Sequence, residues 1–172
     1  MRKYVLLTLF LLAINFHNLF AIGAGGAFSL SSSDSDPAIP GGALTLQENR
    51  WGPLLGLNFR VADDTYHLKV TADWKMLTPP LEDIQPTELA DKLSPSLKNK
   101  LSYYIAFGGY VNSSFGEEEQ VTGGLRFPAV LQFFPNESIE LFIEVAPKMG
   151  IKFPLEFPVW GVEGGAGFRF WF

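Results

Sequence analysis

The sequence predicts an all-β fold, an eight-stranded antiparallel transmembrane β-barrel with one long connection over residues 78–100. Three observations lead there. Apolar and polar residues alternate with period two along most of the chain. The apolar faces are loaded with large aromatics, while the opposite faces hold Gly, Ala, Ser, Thr and a few charges. The chain also stops on "GGAGFRFWF", an alternating aromatic strand where a soluble domain would end in polar residues.

The clearest strand is "YHLKVTADWKM", 66–76: Tyr66, Leu68, Val70, Ala72, Trp74 and Met76 fall on one face, and His67, Lys69, Thr71, Asp73 and Lys75 on the other. Its length suits one tilted membrane strand. The run 51–61 puts Leu55, Leu57, Phe59 and Val61 opposite Asn58 and Arg60, and "ADDT" between these two strands reads as a hairpin turn. Residues 101–111 set Leu101, Tyr103, Ile105, Phe107 and Val111 against Ser102, Tyr104, Ala106, Gly108 and Tyr110. The segment 120–134 opens with Val121, Leu125 and Phe127 opposite Thr122, Gly124 and Arg126. In 139–149, Ile139, Leu141, Ile143 and Val145 oppose Glu140, Glu144 and Lys148. The closing strand faces Phe168, Phe170 and Phe172 one way and Glu163, Gly165, Gly167 and Arg169 the other. Two weaker candidates, 22–30 and 43–47, bring the count to eight, an even number as bacterial barrels require. "PNES" at 135–138 has tight-turn chemistry, and 78–100 shows no period-two pattern beyond a short helix near Glu88 to Leu93.

The first 21 residues have the layout of a cleaved secretory signal: Arg2 and Lys3, an apolar core from Tyr4 to Ile14, then a more polar end at Ala21. The expected domains are therefore a signal peptide over 1–21 and a barrel over 22–172. Of 13 Lys and Arg, losing Arg2 and Lys3 leaves 11 against 18 Asp and Glu, a net of −7. That balance excludes nucleic acid as a partner. With no Cys there is no disulfide, no thiol nucleophile and no thiolate metal site. Aromatics reach 15% and charges only 18%, below the usual quarter. No apolar run after residue 21 is long enough for a membrane helix, so any membrane crossing is by strands.

A secreted sandwich or lipocalin-like barrel would alternate too, with its apolar face inward. The girdle of aromatics, the small and sparsely charged polar faces and the terminal Phe172 favour the membrane barrel. Eight strands enclose an interior that side chains fill, so inward charges must pair. A last loop centred between Glu156 and Phe157 would set Glu144 across from Arg169, with Arg126 one diagonal step from Glu144. The expected lumen cluster is Arg126, Glu144 and Arg169 with Glu140, Lys148 and Glu163 nearby, a structural plug.

"YYIAFGGYV", "GGLRFPAVL", "IELFIEVAPKM" and "GGAGFRFWF", in this order, resemble a family of predicted eight-stranded outer-membrane barrels of spirochaetes and other diderm bacteria. Gly124, Arg126 and Pro128 match its Gly-x-Arg-x-Pro strand; Leu141, Phe142, Glu144 and Pro147 match its third element; Gly167, Arg169 and Phe172 match its terminal one. The likeness covers 101–172; over 22–77 it is only strand count and rhythm. It implies an architecture similar to OmpA, OmpX and OmpW barrels and residence in the outer membrane. Implied partners are outer-membrane lipid and the assembly machinery, which would read Phe168, Phe170 and Phe172, and host proteins bound through surface loops in some relatives.

No catalytic residue, metal ligand or cofactor is expected. Ser102 and His67, on adjacent strands, are the nearest thing to an acyl-hydrolase pair. Three functions remain open: a structural or envelope-integrity barrel with a plugged lumen, a small pore for small solutes, and a surface adhesin. Counting back from a closing strand that ends in the periplasm puts 78–100 there. Periplasmic turns are usually the short ones. Either this chain departs from that rule or the strand count over 22–50 is wrong.

Overall fold

The computed structural model describes residues 22–33, 39–50, 52–62, 65–77, 100–116, 119–154 and 156–172. The expected signal peptide, the short helix near 88–93 and the centre of the "ADDT" turn lie outside them. The described elements are β1 (Gly23–Ser33), β2 (Ile39–Gln47), β3 (Leu54–Ala62), β4 (Thr65–Leu77), β5 (Leu101–Phe115), β6 (Gln120–Arg126), β7 (Ala129–Asn136), β8 (Ile139–Phe153) and β9 (Glu156–Trp171). Every paired neighbour is antiparallel, and β1 pairs β9 from Gly23↔Trp171 onward, which closes the sheet on itself. The seam runs to the last residue: Phe172 N–H donates to the Ile22 carbonyl at 3.0 Å, and Ile22 N–H to the Phe172 carbonyl at 3.3 Å.

Nine elements make eight staves, because β6 and β7 are one membrane strand. Both pair β5 and β8, and the register against each partner continues unshifted from Arg126 to Ala129. Pro128 interrupts the ladder only because it has no N–H to donate. Its carbonyl still accepts from Ala106 N–H at 2.8 Å, and Phe127 N–H donates to the Pro147 carbonyl at 2.9 Å. The even count thus holds, with two strands, β1 and β2, in the first part of the barrel. The strand count expected over 22–50 therefore holds, and the 78–100 connection joins β4 to β5 at the end where Ile22 meets Phe172.

Two stretches read as loop are strand. The second strand begins at Ile39 rather than Ala43, since Pro40 sits at a strand start, where a missing N–H is tolerated. Gly41 next to it faces inward, and a Cβ there would collide with the Arg60 stem. The "KFPLEFPVW" loop shrinks to a turn at Pro154, and β9 begins at Glu156. Pro158 is accommodated where the β8–β9 register slips between Gly150 and Lys152, an irregularity that needs no regular ladder donor. The hairpin centre therefore lies nearer the N-terminus than expected. Arg169 stands opposite Glu140, and Glu144 opposite Gly165.

The alternation sorts the two faces as the sequence pattern implies, with membrane-barrel polarity. Outward side chains such as Leu44, Trp74 and Ile143 are 65%, 56% and 59% exposed. The largest fully buried side chains include Arg169, Lys69, Gln47, Glu140 and Asp73. A water-soluble barrel would reverse this, since each exposed Leu or Phe forgoes about 1.5–3 kcal/mol of burial. Among the described residues no helix is long and apolar enough to cross a membrane. The strands do that.

Candidate functional site

The site is the lumen, and its chemistry is ionic. Near the end where Ile22 meets Phe172, Arg169 of β9 pairs with Glu140 of β8, both fully buried. Gln132 Nε2 donates to Glu140 Oε1 at 2.7 Å and Trp171 Nε1 to Oε2 at 2.9 Å, so both carboxylate oxygens are engaged. The Arg169 guanidinium also lies 4.2 Å from the centre of the Phe142 ring. Further along the axis Arg126 of β6 pairs with Glu144, and its Nε stands 3.6 Å from Asp73 Oδ1 of β4. Beyond these, Glu163 of β9 holds Arg60 of β3 at 3.4 Å and also pairs Lys69 of β4. In an eight-stave barrel β4 lies opposite β9, so the Lys69–Glu163 pair spans the lumen.

Arg60, Lys69, Arg126 and Arg169 thus face Asp73, Glu140, Glu144 and Glu163, four cations against four anions in one belt. Neutrality is what lets these groups stay buried, since an unpaired charge in this interior would cost several kcal/mol. A cavity of about 40 Å³ lies inside the belt, beside Asp73, Arg126, Glu144, Glu163 and Arg169. At roughly 10–15 Å³ per water it has room for about three waters. Ser29 Oγ, Thr45 Oγ1 and the Arg169 Nε and Nη2 are buried polar atoms without protein partners around it.

The mouth at the terminal end is closed by the β2–β3 turn. Arg50 Nη2 donates to the Glu137 carbonyl at 2.7 Å, and its guanidinium sits 4.9 Å from the Phe134 ring and 5.7 Å from that of Trp171. Lys75 Nζ donates back to the Arg50 carbonyl at 2.5 Å and lies 4.3 Å above the Tyr104 ring.

Five of the six expected lumen charges, Arg126, Glu144, Arg169, Glu140 and Glu163, lie in the belt. Arg169 meets Glu140 rather than Glu144, for the register reason given above. Lys148 stands nearer the other mouth, where its Nζ donates to Ser31 Oγ at 2.6 Å. Arg60, Lys69, Asp73, Gln132 and Trp171 were not among the expected cluster. All five are on inward parity positions; Gln132 and Trp171 sit on the strands that flank Glu140, while Arg60, Lys69 and Asp73 have no hairpin tie to their partners. Barrel closure brings β3 and β4 to β9. Phe168, Phe170 and Phe172 all point outward, the first two in edge-on contact at 5.5 Å. His67 faces Ser114, while Ser102 faces Gln132 at the opposite end, so Ser102 and His67 are not brought together. Among the described residues no group of His, Asp and Glu could hold a metal ion.

Similar solved structures include Neisserial surface protein A (14% identity, TM-score 0.49, 87% of this chain and 95% of that one). The N-terminal β-barrel domain of Pseudomonas aeruginosa OprF shares 14% identity at TM-score 0.47, over 86% of this chain and 97% of that one. Ail, the attachment invasion locus protein of Yersinia pestis, shares 17% at TM-score 0.46, over 88% and 97%. No family model and no curated protein matches the chain. The barrel assignment rests on this chain's own strand pairing.

Proposed function

We propose that the protein is an integral outer-membrane barrel with a structural, envelope-integrity role and no catalytic one. One observation carries the reading: among the described residues the lumen is crossed by a buried network of paired charges around a cavity of about 40 Å³. A conduit for solutes needs a continuous path, and the Lys69–Glu163, Arg60–Glu163 and Arg126–Asp73 contacts join strands that are not neighbours and so stand across it. The closing strand, with Phe168, Phe170 and Phe172 on its outer side, is the surface that the outer-membrane assembly machinery would read. Cleavage of residues 1–21 would deliver the chain there. Kinship with the spirochaetal family rests on the motifs of residues 101–172 alone.

The test is conductance of the purified barrel in planar bilayers. Silence is expected; steady openings that Glu144→Gln abolishes would replace the plugged barrel with a small pore. Protease and antibody access to the connections 34–38 and 116–119, to which the expected loops 31–42 and 112–119 reduce, decides a host-binding role on intact cells, and accessible connections that hold a host protein would establish it. Deleting Phe172 should impair membrane insertion, and normal insertion of that truncation would remove the assembly reading.

A further inference from the structure

The closing strand is held differently on its two sides. Phe168, Arg169 and Phe170 meet Leu141, Glu140 and Ile139 on β8, but Gly26, Gly25 and Ala24 on β1. From Gly23↔Trp171 to Leu30↔Gly164, every β1–β9 pair has a glycine or an alanine on at least one strand. A Cβ at Gly25 would strike the Phe168 carbonyl, so the two backbones approach too closely there for a larger residue. Facing side chains are what strengthen a sheet beyond its ladder, and this seam has few of them. It is held mainly by main-chain hydrogen bonds.

Neither β1 nor β2 carries a charged residue, so neither contributes to the ion belt. The belt passes over them instead. Glu163, opposite Ser31 in register, pairs with Arg60 of β3 at 3.4 Å and with Lys69 of β4. The hold on the closing strand is thereby carried past β1 and β2 to the next two strands. A second tie crosses where Ile22 meets Phe172: Arg50, on the β2–β3 turn, lays its guanidinium 5.7 Å from the Trp171 ring of β9. Ser31 Oγ, accepting from Lys148 Nζ of β8 at 2.6 Å, bridges the same seam toward the other mouth. The wall is also thin here. An apolar groove of about 710 Å³ lies on the outer face of these strands and the belt cavity of about 40 Å³ on the inner face, with Ala27 and Ala43 lining both.

We infer that β1–β9 is the seam at which this barrel opens, and that Glu163, through Arg60 and Lys69, is the clasp that keeps it shut. Neutralising Glu163 removes the ionic hold of β9 on β3 and β4, and β9 then keeps β1 by hydrogen bonds with little side-chain support. The belt therefore does more than neutralise its own charges; one of its members closes the wall. The clasp acts on the wall, so a conducting lumen would overturn the structural role proposed above and leave the clasp standing.

Amide hydrogen exchange of the full barrel in detergent micelles, followed residue by residue by NMR, reads the seam. Successive N–H groups of a strand point to opposite neighbours: Phe172 donates to the Ile22 carbonyl and Trp171 to that of Ser138, next to β8. The alternation assigns the amides of Ala166, Phe168 and Phe170 to β1 and those of Gly165, Gly167 and Arg169 to β8. In Glu163→Gln, exchange of the first three is expected to rise at least tenfold relative to the second three. Glu140→Gln, which breaks a pair between β9 and its hairpin neighbour, should leave that ratio unchanged. Heat-modifiable migration checks the fold of each variant. If Glu163→Gln does not fold, Arg60→Gln carries the test, since it removes one arm and leaves Lys69 on Glu163. An unchanged ratio in the folded clasp variants, or an equal rise after Glu140→Gln, would overturn the clasp. A rise confined to the amides between β1 and β2 would move the opening line and overturn the seam.

Discussion

The belt and the vestibule above it are built from the same inward positions of the same strands, yet they follow different rules. In the belt every charge has an opposite partner and almost no exposure: Lys69 is 1% exposed and Asp73 2%. Toward the mouth away from Ile22 and Phe172, here called the vestibule, Lys148 and Lys152 are only half-buried, Lys148 bonded to Ser31 and Lys152 in register opposite Glu156. Burial sets the difference. Deep in a narrow barrel a charge without a partner is expensive, so the sequence must supply cations and anions in equal number. At the mouth water does part of that work, so the loss of one charge costs less.

Mutations should separate the two regions by magnitude. The largest effect is expected from Glu163→Gln, which leaves Arg60 and Lys69 facing one another without their shared carboxylate. Breaking a buried pair costs about 3–5 kcal/mol, and this position should sit at the upper end. Urea unfolding in detergent micelles would read it as a lower midpoint; an unchanged midpoint would mean that the belt is hydrated like the vestibule. Glu140→Gln should follow closely, since Arg169 is fully buried and would keep only a neutral amide beside it. Replacing both partners, as in Glu140→Leu with Arg169→Met, should recover much of the loss, because removing a buried pair outright is often close to neutral. If the double variant is worse than either single one, the pair itself, and not the avoidance of a lone charge, stabilises the barrel.

Glu144→Gln should cost less, about 1–3 kcal/mol, for two reasons. Glu144 is 13% exposed at its side chain, and Arg126 keeps Asp73 at 3.6 Å when Glu144 is neutral. Ranking Glu163 above Glu140 above Glu144 would therefore show stability tracking the number of charges stranded. An inverted order would show it tracking depth along the barrel instead.

The ease with which the sequence disclosed the two faces contrasts with how poorly it disclosed partners. Period-two alternation over 66–76 put Lys69, Thr71 and Asp73 on the lumen side before any pairing was known, and the aromatic C-terminus gave the closing strand. These are local signals, carried by single strands. The Arg169 partner was misassigned because Pro154 and Pro158 read as loop residues, while the hairpin absorbs Pro158 at a register slip. The Lys69–Glu163 pair was invisible for a different reason. Its members are far apart in sequence, and only closure of β1 on β9 brings them across the lumen. Motifs did not help either, since Arg60, Lys69 and Asp73 come from the part of the chain that carries none, yet they supply three of the eight belt charges. Trp171 shows the same limit on a smaller scale. Its parity is inward, but its neighbours Phe170 and Phe172 make it look like part of the outer aromatic face.

The smallest expected effect is the most discriminating. Lys152 lies one residue pair from the β8–β9 turn, opposite Glu156, and its side chain is partly open to water at the mouth. Lys152→Gln should therefore change stability by no more than about 0.5 kcal/mol, the usual range for a surface substitution away from buried features. A urea midpoint within error of the parent, measured beside the drop expected for Glu163→Gln, would fix the boundary between belt and vestibule between Glu163 and Lys152. A loss of 2 kcal/mol or more, well beyond that range, would move the boundary outward and make the vestibule lysines part of the plug. Solvation, then, and not the identity of the strand, decides how much an inward lysine contributes to holding the barrel together.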